Sequence, residues 1–297
     1  MSQYYFKSLA FALLIAAHGY LRGSLKLSGA ISAALVGYLT LGNPEVAFGA
    51  ALLSFYIIGD IATKYKRSFK ATLVDEGNVN VETNSKKQGK KCAINSGRDW
   101  KQVLCNSWLG MLCAVGFRFQ KLLSNGLHSP SEELLSRSLV CTALAFWSGC
   151  AGDTLSSELG ILSRSHPRLI TTLKKVPPGT NGAVSWLGLG FSAIGGILVG
   201  VSCVLLSHSL QPKVPLVIGS GICGLTCSIV DSILGATFQQ TLYLKKDMRV
   251  VSRKVTKSEE KKDLIVVRGL NLMNNNQVNI ASSTLVGLTA GALVYFL

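Results

Sequence analysis

The sequence predicts an all-α, polytopic integral membrane protein with about eight transmembrane helices, and three observations support this fold class. Hydrophobic residues make up 48% of the 297 residues and charged residues only 15%, and the mean hydropathy is +0.37. Charged residues are absent from long apolar runs and dense between them, as in chains that cross a bilayer repeatedly. Glycine is frequent, with 30 residues, which suits membrane helices that pack closely. We therefore interpret residues 1–297 as a single membrane domain.

Eight apolar runs are the predicted spans. They cover residues 4–21, 27–42, 45–62, 102–117, 138–152, 183–208, 216–238 and 278–297. The first run is of marginal length, and the alternative for it is a cleaved signal peptide, which would leave seven spans. Before the fifth run, Ser129 is followed by Pro130 and by two acids, Glu132 and Glu133. This order predicts that a helix starts at Ser129.

The distribution of charge predicts the orientation of the chain. Two polar loops, residues 63–101 and 239–276, carry ten and nine basic residues. When both loops are placed in the cytoplasm, 25 of the 30 Lys and Arg residues fall on the cytoplasmic side, as the positive-inside rule requires. This rule also accounts for the net charge of +15, so nucleic-acid binding is disfavoured. Residues 263–272 alternate enough to predict a short strand or a segment lying on the surface.

Acidic residues in and beside the apolar runs suggest a metal site. Asp153 and Glu158 open the segment 153–182, which we interpret as the central functional loop, and Asp231 lies in the inner part of the seventh run. Ionisable groups in spans are costly and usually face a polar cavity, and carboxylates bind Mg²⁺ together with substrate phosphates. We therefore expect Asp153, Glu158 and Asp231 to be metal ligands and catalytic acids at the cytoplasmic side.

A simpler interpretation of these acids is that each one pairs with a Lys or Arg at the interface. Asp60, at the end of the third run, suits this alternative best, because Lys64 follows four residues later. That spacing favours an ion pair on one face of a helix.

The turn at residues 176–182 (VPPGTNG) is a predicted phosphate-binding segment. Gly179 and Gly182 would permit close approach of the backbone, Thr180 and Asn181 would donate hydrogen bonds, and Lys174 would supply positive charge. The sequence contains no GxxxxGK[ST] motif. The alternative is an ordinary turn, since Pro, Gly and Asn are common turn residues.

Several motifs resemble the transmembrane protein 19 family, over most of the chain from about residue 55. The matching segments are residues 97–98 (GR), 102–106 (QVLCN), 152–160 (GDTLSSELG), 170–172 (ITT), 176–182 (VPPGTNG), 184–185 (VS), 231–232 (DS), 234–236 (LGA), 239 (Q) and 274–279 (NNNQVN). Plant relatives of this family include phytyl-phosphate kinase. The Asp153–Thr154 pair and the loop after it are also distantly similar to CTP-dependent dolichol kinases and CDP-diacylglycerol synthases.

The resemblance implies an integral membrane kinase that uses CTP or ATP and acts on a prenyl alcohol or a prenyl phosphate such as phytyl phosphate. The matched positions add Thr154, Thr171, Thr172 and Asn106 to the predicted phosphate-binding residues. The chain has no evident transit peptide, and its basic loops are long. We therefore expect an endomembrane such as the endoplasmic reticulum rather than a plastid.

Two other classes of function fit the same sequence features. A cation-coupled transporter would also place carboxylates and glycine-interrupted helices in the membrane, although its site belongs near the bilayer midplane. A membrane protein without chemistry would leave the polar segment 153–182 unexplained. No pattern in the sequence specifies an oligomer.

Overall fold

The computed structural model describes residues 2–75, 97–124, 129–244, 249–251 and 264–296, and it shows a helical bundle with two small sheets. The helices are α1 (Ser2–Leu21), α2 (Leu27–Leu41), α3 (Val46–Lys64), α4 (Arg67–Leu73), α5 (Trp100–Cys105), α6 (Trp108–Leu123), α7 (Pro130–Gly160), α8 (Trp186–Leu206), α9 (Lys213–Phe238) and α10 (Asn275–Phe296). The strands are β1 (Val74–Asp75), β2 (Arg168–Leu169), β3 (Ala183–Val184), β4 (Thr241–Leu244), β5 (Arg249–Val251) and β6 (Leu264–Arg268).

Helix α7 is the centre of the bundle and packs against α3, α6, α8, α9 and α10. Its middle is apolar on all sides, which is typical of a buried helix, and Phe146 and Trp147 are completely buried there. The predicted start is confirmed. The Ser129 hydroxyl accepts a hydrogen bond from the Glu132 amide at 3.2 Å, and the Glu132 side chain accepts one from the Ser129 amide.

The end of α7 corrects the predicted boundary of the central loop. The fifth span was expected to close at residue 152, but the helix continues to Gly160, so Asp153 and Glu158 are helical and the loop starts at residue 161. Residues 153–160 contain no proline. Their polar side chains at positions 153, 156 and 157 share a helical face with Gly160. That face lines a cavity rather than lipid, so polar residues do not end the helix.

The predicted fourth span is divided into two helices. Helix α5 ends at Cys105 and α6 begins at Trp108, with a break at Asn106 and Ser107. The Ser107 hydroxyl donates to the carbonyl oxygen of Val103 at 2.7 Å, and such back-bonding competes with the regular helical ladder.

Multiple crossing of a membrane is supported by helix length and hydropathy. Within the described residues, five helices are long and apolar enough to span a bilayer: α3, α7, α8, α9 and α10. Helix α2 and residues 6–21 of α1 are shorter apolar helices. The number eight remains a prediction.

Contacts between loops define two ends of the bundle. One end, which we call the basic face, carries the C-termini of α3, α7 and α9. There Ser24 contacts Asp60 and the Asn181 amide donates to Thr241. At the other end, the Glu45 carboxylate accepts hydrogen bonds from Ser207 and Ser209.

A four-stranded sheet at the basic face is an addition to the all-α prediction. Its strand order is β1-β5-β4-β6, and the strand expected within residues 263–272 is confirmed as β6. Strand β1, from the predicted loop 63–101, pairs in parallel with β5, from the predicted loop 239–276, with Val74 opposite Val250. Both basic loops therefore lie on one face, as the charge distribution predicts. Residues 76–96, 245–248 and 252–263 of these loops lie outside the described residues.

Candidate active site

A polar cavity of about 180 Å³ lies at the basic face between α7, α9 and the loop that joins α7 to α8. Its lining includes Asp153, Ser156, Ser157 and Gly160 of α7; Ser228, Asp231 and Ser232 of α9; Ser163, Ser165, Ser185 and residues 178–182 of the loop; and Gln239 and Asn275.

Helix geometry brings the two acids to the same depth. Asp153 lies seven residues before Gly160, the last residue of α7, and Asp231 lies seven residues before Phe238, the last residue of α9. Seven residues correspond to about 10 Å along a helix. Both carboxylates therefore lie about two turns below the basic face, on opposite walls of one cavity.

Close helix packing closes the cavity toward the middle of the bundle. A Cβ atom on Gly152 would lie 2.6 Å from the Cα atom of Gly224 and 2.6 Å from the carbonyl oxygen of Ser192. Helices α7, α8 and α9 therefore touch backbone to backbone immediately below Asp153.

The two carboxylates have unequal surroundings. Oδ2 of Asp231 accepts hydrogen bonds from the Ser282 hydroxyl at 3.2 Å and from the side-chain amide of Asn279 at 3.2 Å, with the amide nitrogen turned toward α9. Asp153 lies within electrostatic reach of Asp231, but none of the described residues donates a hydrogen bond to its carboxylate. No Lys or Arg is among the described residues that line the cavity.

This arrangement favours a bound cation. Two close carboxylates in a helical bundle are costly without a counter-ion or a proton, and the described lining offers only oxygen and amide groups around them. Carboxylate and hydroxyl oxygens are ligands that suit Mg²⁺, which also keeps waters and phosphate oxygens in its coordination shell. The residues present therefore fit a magnesium ion, which Asp153 and Asp231 would hold.

Glu158 is not part of this pair, which corrects the predicted set of three acids. Its carboxylate forms an ion pair with Lys70 of α4, and it does not line the cavity. Helical periodicity explains this, because a residue five positions after Asp153 points to another side of α7. Within the described part of the chain, no group of three His, Cys, Asp or Glu residues is placed to hold a metal ion.

Asp60 forms an ion pair with a basic residue, as the simpler interpretation of the acids predicts. Its carboxylate lies 2.8 Å from Nζ of Lys64 and accepts a hydrogen bond from Ser24 at 2.5 Å. The expected ion pair between residues four apart on a helix is confirmed.

The turn at residues 176–182 lies against α9 beside Asp231. Gly182 has φ of +75°, and a Cβ atom there would lie 2.4 Å from both Cβ of Ala236 and the carbonyl oxygen of Ser232. The Thr180 hydroxyl donates to the Pro177 carbonyl at 2.7 Å. The Asn181 backbone amide donates to the Thr241 hydroxyl at 3.1 Å, and its side-chain amide donates to the Gln240 carbonyl at 3.4 Å. The predicted donors Thr180 and Asn181 are therefore engaged within the fold.

The remaining predicted phosphate-binding residues are not brought to the cavity. Thr171, Thr172 and Lys174 are exposed in the turn after β2 and do not line it. Thr154 faces α3, with its methyl group 3.7 Å from the Cβ position of Gly59.

Asn106 lines a different, mainly apolar cavity between α1, α2, α3 and α5, together with Gln102 and Arg98. Burial lowers the pKa of the Arg98 guanidinium, and the charges of Asp60 and Glu158 oppose this shift.

Serine side chains are the part of the site that sequence reasoning missed. Ser228, Asp231 and Ser232 occupy positions i, i+3 and i+4 of an otherwise apolar helix, and Asp153, Ser156 and Ser157 repeat the same spacing on α7. Residues at these spacings share a helix face. A search for polar residues at helical spacing within the apolar runs would therefore have found both walls.

Comparison with known proteins identifies relatives over nearly the whole chain. The family model described as Integral membrane protein DUF92 matches residues 10–287. Protein PGR of Arabidopsis thaliana is 34% identical over 294 residues, which cover 95% of this chain and 93% of that protein. An uncharacterized membrane protein of Methanocaldococcus jannaschii is 27% identical over 267 residues, covering 90% of this chain and 84% of the relative.

Protein VTE6, chloroplastic, of Arabidopsis thaliana is 30% identical over 216 residues, which cover 72% of this chain and 56% of that protein. Its name places that relative in the chloroplast, so the expectation of an endomembrane rather than a plastid finds no support here. No solved structure matches the chain.

Proposed function

We propose, from the premise that the chain belongs to the DUF92 family of integral membrane proteins, that it is a nucleotide-dependent kinase acting on a prenyl phosphate or a prenyl alcohol. The premise agrees with the predicted relation to the transmembrane protein 19 family. The resemblance to phytyl-phosphate kinase and to CTP-dependent dolichol kinases supports the reaction class, with CTP or ATP as the phosphate donor.

One observation carries this proposal. Asp153 and Asp231 come from two different apolar helices and line one cavity beside the turn at residues 176–182, with no basic side chain among the described lining residues. Magnesium held there would neutralise the charge that builds up on the transferred phosphoryl group. Phosphoryl transfer depends mainly on positioning and on charge neutralisation, and a rigid cavity between packed helices is suited to both.

The proposed reaction has a simple balance. An oxygen of the lipid acceptor attacks the γ-phosphorus, the bond from this phosphorus to the β–γ bridging oxygen breaks, and the nucleoside diphosphate leaves with the bonding electrons. A prenyl phosphate gives a prenyl diphosphate and needs no base, because its attacking oxygen is already deprotonated. A prenyl alcohol must lose a proton, and Asp153, which accepts no hydrogen bond from the described residues, is the group placed to take it.

The shape of the cavity favours an enzyme over the alternative of a cation-coupled transporter. A transport site must be reached in turn from both sides of the membrane. Here close backbone contacts among Gly152, Gly224 and Ser192 separate the cavity from the middle of the bundle.

The test is an assay of the purified full chain in lipid with Mg²⁺, CTP or ATP labelled at the γ-phosphate, and phytyl, geranylgeranyl or dolichyl substrates as alcohols and as phosphates. We expect a labelled lipid product with at least one pair of substrates, and no product when EDTA removes the metal. Absence of a labelled lipid with every pair, from protein that remains folded, would refute the kinase assignment.

A further inference from the structure

We infer that Ser228, on α9, is a direct hydrogen-bond donor to the phosphate group that binds in the cavity; this deepens the proposed function and rests on it. The sequence assigns that task to Thr180 and Asn181. In the structure the Thr180 hydroxyl already donates to Pro177, and the backbone N–H and one side-chain N–H of Asn181 donate to Thr241 and Gln240. A buried hydroxyl of the cavity that has no partner is a stronger candidate for this task.

Ser228 is the most buried of the cavity hydroxyls that have no partner among the described residues, since Ser156 and Ser232 also lack one but are more exposed. It is only 2% exposed and lines the cavity one helical turn before Asp231, on the same face of α9. None of the described residues forms a hydrogen bond with its hydroxyl. Ser148, buried on α7 outside the cavity lining, also lacks a partner among them, but most other buried serines of the bundle are bonded. The Ser220 hydroxyl, on the same helix, donates to the Leu216 carbonyl at 2.8 Å. Buried polar groups in native proteins almost always have a hydrogen-bond partner, so we expect a ligand or a water to bind the Ser228 hydroxyl.

The chemistry of the surroundings identifies the ligand class. The carboxylates of Asp231 and Asp153 repel a bare anion, and no basic side chain in the described lining compensates for them. A phosphate group enters such a cavity only together with a divalent cation, which the carboxylates bind. The phosphate oxygens then accept hydrogen bonds, and a neutral hydroxyl can donate one of them without adding charge to the cavity. Ser228 therefore fits a magnesium-bound phosphate, either of the nucleotide or of a prenyl phosphate.

The experiment compares Ser228→Ala with a matched control, Ser220→Ala. Both substitutions remove one buried hydroxyl from α9, but Ser220 lies two turns further from Asp231 and outside the cavity lining. Binding of labelled nucleotide and of a labelled prenyl phosphate is measured separately, with Mg²⁺, at equilibrium and without turnover. The full chain in lipid is used for both ligands, and Ser228→Thr tests rescue by a second hydroxyl.

We expect Ser228→Ala to weaken the binding of one of the two phosphate ligands by about 10- to 100-fold, the loss of one hydrogen bond to a charged group. The ligand affected identifies which phosphate Ser228 contacts, and Ser220→Ala should bind both ligands like the unchanged protein. Unchanged binding by Ser228→Ala in a protein that turns over would overturn this inference and leave the kinase assignment intact. Weaker binding by Ser228→Ala in a protein without kinase activity would support the phosphate contact and refute the kinase. Failure of the unchanged protein to bind either ligand would overturn both.

Discussion

The Ser282 hydroxyl on α10 lies 3.2 Å from Oδ2 of Asp231 on α9 and can donate its hydrogen either to this oxygen or to the Asn279 carbonyl of its own helix, also at 3.2 Å. With its side-chain nitrogen turned toward α9, the Asn279 amide, one turn earlier on α10, donates to the same Asp231 oxygen at 3.2 Å. Two donors therefore fix the orientation of Asp231, whereas the described residues donate no hydrogen bond to Asp153. Such preorganisation suits different tasks in the proposed metal site: Asp231 would be a fixed ligand, and a bound ligand would orient Asp153.

Ser282 should matter for cation binding through its hold on Asp231. We expect Ser282→Ala to weaken Mn²⁺ or Mg²⁺ binding about tenfold, because one hydrogen bond to a charged group contributes about 1.5–3 kcal/mol and Asn279 remains. Ser282→Thr should restore most of the affinity. The control is Ser283→Ala, since the Ser283 hydroxyl donates to the Asn279 carbonyl within its own helix at 2.6 Å. An equal loss in both alanine variants would indicate a general effect on α10.

Asp153 should be required for turnover and Asp60 should not. Asp153→Asn keeps the size of the side chain but removes a metal ligand, so the kinase rate should fall by about 100-fold or more. Asp60→Asn changes an acid at the same face that pairs with Lys64 outside the cavity. The rate of lipid phosphorylation by each variant in lipid is the measurement, with insertion checked by expression level. Full activity of Asp153→Asn would contradict its assigned role.

The positions of the helices were largely predictable from the sequence, because apolar runs and charged gaps report directly on burial in a bilayer. The extent of α7 was not. Its last two turns are polar on the face that lines the cavity, and periodicity within one helix does not reveal which partner covers that face. The four-stranded sheet was also not predictable from the sequence, because β1 and β5 are only two and three residues long and their pairing joins segments that are distant in sequence.

The site was predictable in part for the same reason. Asp153 and Asp231 were identified because a carboxylate in an apolar run is costly, and the structure places both on one cavity. Glu158 was grouped with them by proximity in sequence, although five residues of helix turn it to the far side. Thr180 and Asn181 were predicted to donate hydrogen bonds to phosphate on the basis of residue type alone. Only the three-dimensional structure reveals that they already donate to Pro177, Gln240 and Thr241.

Lys70 and Glu158 should act in stability rather than in catalysis. Nζ of Lys70 also donates to the Ala62 and Thr63 carbonyls at 2.9 and 3.2 Å, so this side chain joins the end of α3 to α7. Lys70→Ala should therefore lower the free energy of unfolding by about 1–3 kcal/mol. Lys64→Ala, which removes the more exposed pair with Asp60, should change it by less than about 1 kcal/mol.

Thermal unfolding in detergent measures both lysine variants. Glu158→Gln should lose stability in the same direction as Lys70→Ala while keeping cation affinity. If Glu158→Gln lost cation binding but kept normal stability, Glu158 would instead be a ligand of the metal, as the sequence predicts.

Gly182 should be the least replaceable glycine of the turn. Alanine there would be strained at φ of +75° and would collide with Ala236 and Ser232 at 2.4 Å, so Gly182→Ala should displace the turn from α9. We expect a loss of stability above about 1 kcal/mol and a similar or larger loss of ligand affinity. Gly190→Ala is the matched control, because no atom lies within 4 Å of the Cβ position on that exposed residue of α8. Equal stability and equal ligand affinity of Gly182→Ala and Gly190→Ala would contradict the requirement for glycine at position 182.

Cysteines introduced at the two ends of the bundle should be labelled by a thiol reagent from opposite sides of a membrane. Ser165 is exposed beside the cavity at the basic face, and Ser131 is exposed near the start of α7 at the other end. In a Cys92→Ser background, we expect an impermeant thiol reagent to label Ser165→Cys and Ser131→Cys from opposite sides of sealed vesicles of known orientation. The positive-inside rule places Ser165 on the cytoplasmic side. Labelling of both positions from one side would mean that α7 does not cross the bilayer, and the cavity would then lose its place at a membrane surface.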